Sequence, residues 1–215
     1  MLELGIIGRN TEFFTFFRLK QYQHRCLEYL LGYSPIVRYV ADLAIKCNTY
    51  YVHGPFPSYY HLHFCQLFSR VLKDRVLPCH DSSNLPSKRI YIKRGHSLNA
   101  RDLSDTSLLY RTLDEFGFVS YDPGSLDYAD QANLFHNAEV IIGVHGAAFA
   151  NMLFCQEGCK VIELFPHHLR LTHEKLLALH LGITWERIFC NSDSNNRMIY
   201  DSSTDFQLRE FLRVL

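Results

Sequence analysis

The chain carries no net charge. Its 22 Lys and Arg balance 22 Asp and Glu over 215 residues. No global field therefore draws it to nucleic acid or to an anionic membrane surface, and any anion site must be local, built from a few cations and backbone amides. No apolar run approaches the roughly 20 residues that a membrane-spanning helix needs. The start, Met1-Leu2-Glu3-Leu4-Gly5-Ile6-Ile7-Gly8, has neither the basic patch nor the apolar stretch of a secretory leader. CxxC pairs, a Walker loop, HExxH, a complete GxGxxG and a hydrolase triad signature are all missing. The 7 cysteines (Cys26, Cys47, Cys65, Cys79, Cys155, Cys159 and Cys190) are odd in number and scattered. That argues against a disulfide framework and for reduced thiols, although Cys155 and Cys159 stand close enough in sequence to bridge. Reduced thiols and no visible leader point to a cytoplasmic chain, or to the ER or Golgi lumen if the chain is part of a longer eukaryotic protein.

What is present fits a folded protein with a sizeable core: 47% hydrophobic and 20% charged residues. Histidines are plentiful. His61, His63 and Cys65 alternate, so a strand would put them on one face as metal ligands, whereas the flanking Gln66 to Leu72 reads as helix and would not. His167, His168 and His173 carry the same ambiguity.

The sharpest break in composition runs from Pro78 to Ser87, rich in proline and small polar residues. A boundary near residue 85 divides the chain into a partial α/β domain over 1–85 and a larger domain over 86–215. In the larger part, strands are expected at Arg89–Lys93, Phe118–Tyr121, Glu139–Gly143, Lys160–Leu164 and Thr184–Phe189. Helices are expected at Asp105–Phe116, Ser125–Ala138, Ala147–Phe154 and Thr172–Leu181. The capping-box spacing of Thr204 and Gln207 starts a last helix to Leu215. Val140-Ile141-Ile142 and Val161-Ile162 are apolar without alternation, as in strands covered on both faces. The expected class is α/β, a Rossmann-like, doubly wound and mostly parallel sheet. The smaller part reads as helix, strand, strand, helix, over Leu19–Leu31, Ile36–Val40, Thr49–Val52 and Tyr59–Val71.

Sites of such sheets lie beyond the carboxyl ends of the strands. Val140 to Asn151 reads as a strand running through Gly143 into the turn His145-Gly146-Ala147-Ala148. Gly143 can take a positive φ at the strand end, and the small residues let a diphosphate approach the amides that start the next helix. His145 can donate to a phosphate or a leaving oxygen, the catalytic candidate here. The same residues also suit an ordinary tight strand–helix turn. Arg94, at another strand end, can clamp phosphate or stand in solvent. Gln131 can bond a sugar or brace the loop. Glu163, inside an apolar strand, must face a site or a donor, because an unpaired buried carboxylate is costly.

These stretches together resemble the family 61 glycosyltransferases. The resemblance rests on His145-Gly146-Ala147-Ala148, Asn151-Met152-Leu153-Phe154, Gly158 and Val161-Ile162-Glu163-Leu164-Phe165-Pro166. Upstream, Arg89-Ile90-Tyr91-Ile92-Lys93-Arg94, Gly117-Phe118, Ser125-Leu126 and Asp130 to Phe135 fit in order. It covers about residues 88 to 190. It implies a GT-B fold and an inverting, metal-independent transfer from a nucleotide sugar, commonly a UDP-sugar, to a glycan or glycoprotein acceptor, with no further cofactor and no nucleic-acid partner. Carried over, Arg94 and the His145, Gly146, Ala147 and Ala148 turn bind diphosphate, with Gly143 and Asn151 shaping it. Glu163 lies by the ribose, and Gln131 supports the loop. Departures are Ala148 for a glycine, Ala150 for a threonine, Gly95 for an arginine, and the segment Asn99-Ala100-Arg101-Asp102 for an arginine-rich loop. The first part resembles only the end of the family's acceptor-side domain, which implies a shortened one. His61, His63 and Asp81 are candidates for the acceptor base. The alternative is a nucleotide-binding or structural remnant without turnover.

Overall fold

The computed structural model describes residues 12–15, 21–39, 61–79, 87–94, 102–169 and 173–215. The chain divides into two compact units, Met1–Cys79 and His80–Leu215. In the first unit, strand β1 (Glu12–Thr15) pairs in parallel with β2 (Ile36–Tyr39). Helix α1 (Gln21–Leu31) packs against α2 (His61–Val76). Strand β1 has no counterpart among the sequence expectations. The helical backbone of α2 settles the His61, His63 and Cys65 alternation. At about 100° per residue, residues two apart fall on different sides of a helix, so the three positions do not share one face. The expected strand at 49–52 and Asp81 lie outside the described residues.

The second unit is a five-stranded parallel sheet. Its strands are β3 (Arg89–Ile92), β4 (Val119–Tyr121), β5 (Val140–Val144), β6 (Lys160–Pro166) and β7 (Thr184–Cys190). They lie in the order β4-β3-β5-β6-β7. The connecting helices are α3 (Ser107–Glu115), α4 (Tyr128–Asn137), α5 (His173–His180) and the closing α6 (Ser202–Arg213), with a 3-10 run at Ala147–Phe154. This is a Rossmann-like α/β fold. The order reverses between β3 and β5, so the chain leaves the sheet in opposite directions there and opens a crevice at their carboxyl ends.

Side-chain parity divides the core. Val140, Ile142, Val144, Ile162 and Leu164 join Leu109 and Leu113 of α3 and Leu208 and Leu212 of α6 in one buried cluster. The odd-numbered residues of β5 and β6 point to the other face. There α4 packs against the 3-10 run, which in turn touches α5. Both faces being covered explains why β5 is buried at every residue.

Several boundaries differ from expectation. The segment Pro123–Ser125 is a 3-10 turn, and α4 starts later, capped by Asp127, whose side chain accepts from the Asp130 amide. Helix α6 starts a turn earlier than the Thr204 box implied. Its cap is Asp201, which accepts from the Thr204 amide, because an aspartate in extended backbone holds that position at least as well as threonine. Gly143 is not among the positive-φ glycines. It sits in a regular strand where a Cβ would meet Phe149 Cζ at 3.1 Å and Ile92 Cβ at 3.2 Å, so its role is close packing.

Candidate functional site

Two adjoining hollows open at the β3/β5 crevice. One, of about 420 Å³, has a floor of Tyr91 and Tyr110, ring centroids 5.9 Å apart, edge to face. Burial pushes both tyrosine hydroxyls above their ordinary range, so they remain neutral phenols. The second, of about 400 Å³, is lined by Gly124, Gly146, Ala147 and Ala148. Lys93, Arg94, Asp122 and Val144 line both.

Arg94 is the second residue after β3, so the strand end places it at the crevice. Its Nη1 donates to the His145 carbonyl at 2.8 Å, and its Nε lies 3.3 Å from Asp102 Oδ1. The guanidinium is thus tied to the turn that follows β5. Gly146 has φ 174 and ψ 173, extended backbone that any residue adopts. A Cβ there would stand 3.6 Å from Arg94 Nη1 and 3.8 Å from the Val144 carbonyl oxygen, ordinary contacts. Neither the backbone nor the packing requires glycine at this point, and its missing side chain leaves room against the arginine. The first amides of the 3-10 run, at Ala147 and Ala148, precede any intrahelical acceptor.

The His145 imidazole does not line either hollow. Parity turns it to the opposite face, where it is 2% exposed and Nδ1 lies 2.7 Å from Glu163 Oε1. Glu163 is fully buried, and its Oε2 accepts from Arg187 Nε at 2.9 Å, with Nη2 at 2.8 Å. Glu163 and Arg187 are direct neighbours across β6 and β7. The guanidinium carbon stands 3.5 Å from the Phe165 ring centre and 4.5 Å from that of Trp185. Glu174 Oε1 approaches the same His145 nitrogen at 3.6 Å. Its Oε2 is buried without a hydrogen-bond partner among the described residues. The ligand-type atoms of His145, Glu163 and Glu174 lie within 4.8 Å of one another, a set able to hold a divalent cation in place of the Nδ1 proton. Arg187 already supplies positive charge to Glu163 here.

Gln131 and Asn151 meet. Asn151 Nδ2 donates to Gln131 Oε1 at 3.0 Å, and Gln131 Nε2 donates to the Leu126 carbonyl at 3.1 Å. The pair ties the 3-10 run to the start of α4. Thus Arg94, Gly146, Ala147 and Ala148 come together at the crevice, His145 and Glu163 form a separate buried cluster, Gly143 packs between, and Gln131 with Asn151 braces from behind. Arg101 lies outside the described residues, as do the side chains of His61, His63, Cys65 and His173. His167 and His168 are exposed. Cys155 and Cys159 are buried free thiols. Sequence reasoning missed Arg187, Glu174 and Asp102. Arg187 was within reach: a carboxylate inside an apolar strand needs a cation, and the next strand, Thr184 to Cys190, carries only one.

Comparison with known proteins decides the family. Residues 15–162 match the profile of Glycosyltransferase 61. The chain belongs to this family. Among its relatives is the EGF domain-specific O-linked N-acetylglucosamine transferase of the dog (Canis lupus familiaris). It is 32% identical over 93 residues, 42% of this chain and 17% of that protein. Protein O-linked-mannose beta-1,4-N-acetylglucosaminyltransferase 2 of Mus musculus is 28% identical over 108 residues, 49% of this chain and 18% of the relative. The Homo sapiens form is 27% identical over 121 residues, covering 54% and 21%. The matched stretches therefore span about a fifth of these curated relatives. Within the glycosyltransferase 61 match lie Arg94, the His145 turn and the start of β6.

Proposed function

We propose that this chain is a glycosyltransferase that takes a UDP-sugar, binds its diphosphate at the β3/β5 crevice, and passes the sugar to a glycan or protein hydroxyl with inversion. One observation carries the reading: the side-chain-free Gly146 opposite Arg94, a cradle that the fold does not itself need. Arg94 and Lys93 supply positive charge, and the Ala147 and Ala148 amides supply donors, where the leaving diphosphate gains charge. The hydroxyl of the acceptor attacks the anomeric carbon from the side opposite the diphosphate. The sugar–oxygen bond breaks, its electron pair stays on the diphosphate, and the proton leaves to a base on the acceptor side. Two cations and a row of amides do here what a metal ion does elsewhere, so the transfer needs none.

Glu163 takes a positioning role in this reading. Both its oxygens are committed to His145 and Arg187, and this cluster fixes the backbone of the turn whose carbonyl holds Arg94. The names of the relatives make N-acetylglucosamine the first donor to try. The test is incubation with UDP-N-acetylglucosamine and related UDP-sugars, with and without EDTA, against glycoprotein and glycan acceptors. Inversion gives a β-linked product from the α-linked donor, unaffected by EDTA. An α-linked product, or transfer abolished by EDTA, contradicts the mechanism, and no UDP release with any donor contradicts the activity.

A further inference from the structure

Arg94 faces a competitor already attached to the protein. Asp102 lines the same hollow, and its Oδ1 is 3.3 Å from Arg94 Nε. That oxygen is buried yet makes no hydrogen bond among the described residues. A carboxylate held beside a guanidinium without hydrogen-bond geometry gains charge attraction but loses water, so it exchanges readily for an anion that makes the bonds in full. The backbone of Asp102 is fixed. Its carbonyl accepts from the Met198 amide at 2.9 Å, the Ser104 amide donates back to the Met198 carbonyl at 2.8 Å, and Leu103 bridges to Met198. Exchange is therefore a side-chain movement, and the displaced carboxylate stays tethered beside the arginine. Arg94 itself remains anchored through Nη1 to the His145 carbonyl.

We infer that Asp102 is a built-in competitor for the diphosphate: it holds the Arg94 guanidinium between turnovers, swings away when the donor binds, and returns to help expel the nucleoside diphosphate product. This rests on the proposed diphosphate site and adds to it the control of product release. Charge sets the direction of the effect. A diphosphate entering beside Asp102 meets a like charge, and removing that charge while keeping the shape favours the bound state.

The test is calorimetric titration of UDP and of inorganic pyrophosphate into the wild type, Asp102→Asn, Asp102→Ala and the control Glu139→Gln, which removes the same unit of charge from an exposed ion pair with Lys88 at the amino ends of β3 and β5, opposite the crevice. For a partly exposed pair the expected gain is about five- to tenfold in affinity for both ligands in both Asp102 variants, and none in the control. Unchanged or weaker binding of both ligands in the Asp102 variants overturns the inference and makes Asp102 an orienting partner of Arg94. Weaker UDP with unchanged pyrophosphate also overturns it and assigns Asp102 to a ribose hydroxyl. An equal gain in Glu139→Gln overturns it in favour of overall charge. If neither ligand binds any of the four proteins, the diphosphate site itself fails, and this inference with it.

Discussion

At the scale of single residues, the groups proposed to meet the ligand are distinct from the groups that hold them. Gly146→Ala adds one carbon where the fold has room, so the expected result is a Tm within about 2 °C of wild type. UDP affinity should fall at least roughly tenfold, because that carbon stands between the arginine and the diphosphate. A large loss of Tm without loss of affinity would make Gly146 structural. Glu163 is the contrasting case. If it only braces His145 and the turn, Glu163→Gln weakens UDP and inorganic pyrophosphate by similar factors. If it contacts ribose, UDP weakens alone, since pyrophosphate has no ribose. Arg187→Met leaves a fully buried carboxylate without its cation. The expected cost is about 3 kcal/mol of stability, readable in a urea titration. These partners were only half visible in the sequence. The anomaly of Glu163 in Val161-Ile162-Glu163-Leu164 announces a partner, but which residue answers depends on the parallel register of β6 with β7, and no local pattern encodes a register between strands about 20 residues apart.

At the scale of elements, the central strands β5 and β6 were legible because burial on both faces leaves runs of Val and Ile that little else produces. Helix ends were less so. Asp201-Ser202-Ser203-Thr204 offers two good caps three residues apart, and packing decides between them: starting at Asp201 brings Asp205 to Thr112 of α3. The Asp205 carboxylate is buried and accepts from the hydroxyls of Thr112 and of Tyr200, at 2.9 Å for the latter, and from Arg209 Nε at 2.7 Å. Arg209 also reaches Glu115, so α3 and α6 are locked by one network. Asp201→Ala should cost about 1 kcal/mol. Burial pushes the Asp205 carboxyl up, but hydrogen bonds from Thr112, Arg209 and Tyr200 outweigh it and hold it below its ordinary range. The amide and hydroxyl of Thr204 lower Asp201 likewise. A carboxyl lowered in the folded state stabilises above its unfolded value, near 4, and that stability is lost as the pH falls through the folded value. Stability should therefore decline below about pH 4. Asp205→Asn should be less stable than wild type at pH 7 and lose less on acidification. An unchanged acid limb in a chemical-denaturation series would remove Asp205 from this account.

At the scale of the whole molecule, zero net charge leaves no long-range attraction for a nucleotide. On the proposed function, recognition comes from a few groups at one crevice, and the order β4-β3-β5-β6-β7 is what brings them together, by placing the ends of β3 and β5 side by side where the chain reverses direction. Arg94 and the Gly146 turn are 52 residues apart in sequence, yet each was recognisable as a strand end, and that made the crevice readable before the structure. The division of labour within the motif was not. His145 and Gly146 are adjacent, but parity sends the imidazole to one face of the sheet and leaves the glycine at the other's crevice. The measurement that reaches the central claim most directly is calorimetric titration of UDP, without metal, into the wild type and Arg94→Ala. Saturable binding that falls at least roughly tenfold in the variant is expected. No binding to the wild type at about millimolar UDP, or binding that Arg94→Ala leaves unchanged, would contradict a nucleotide diphosphate site at this crevice.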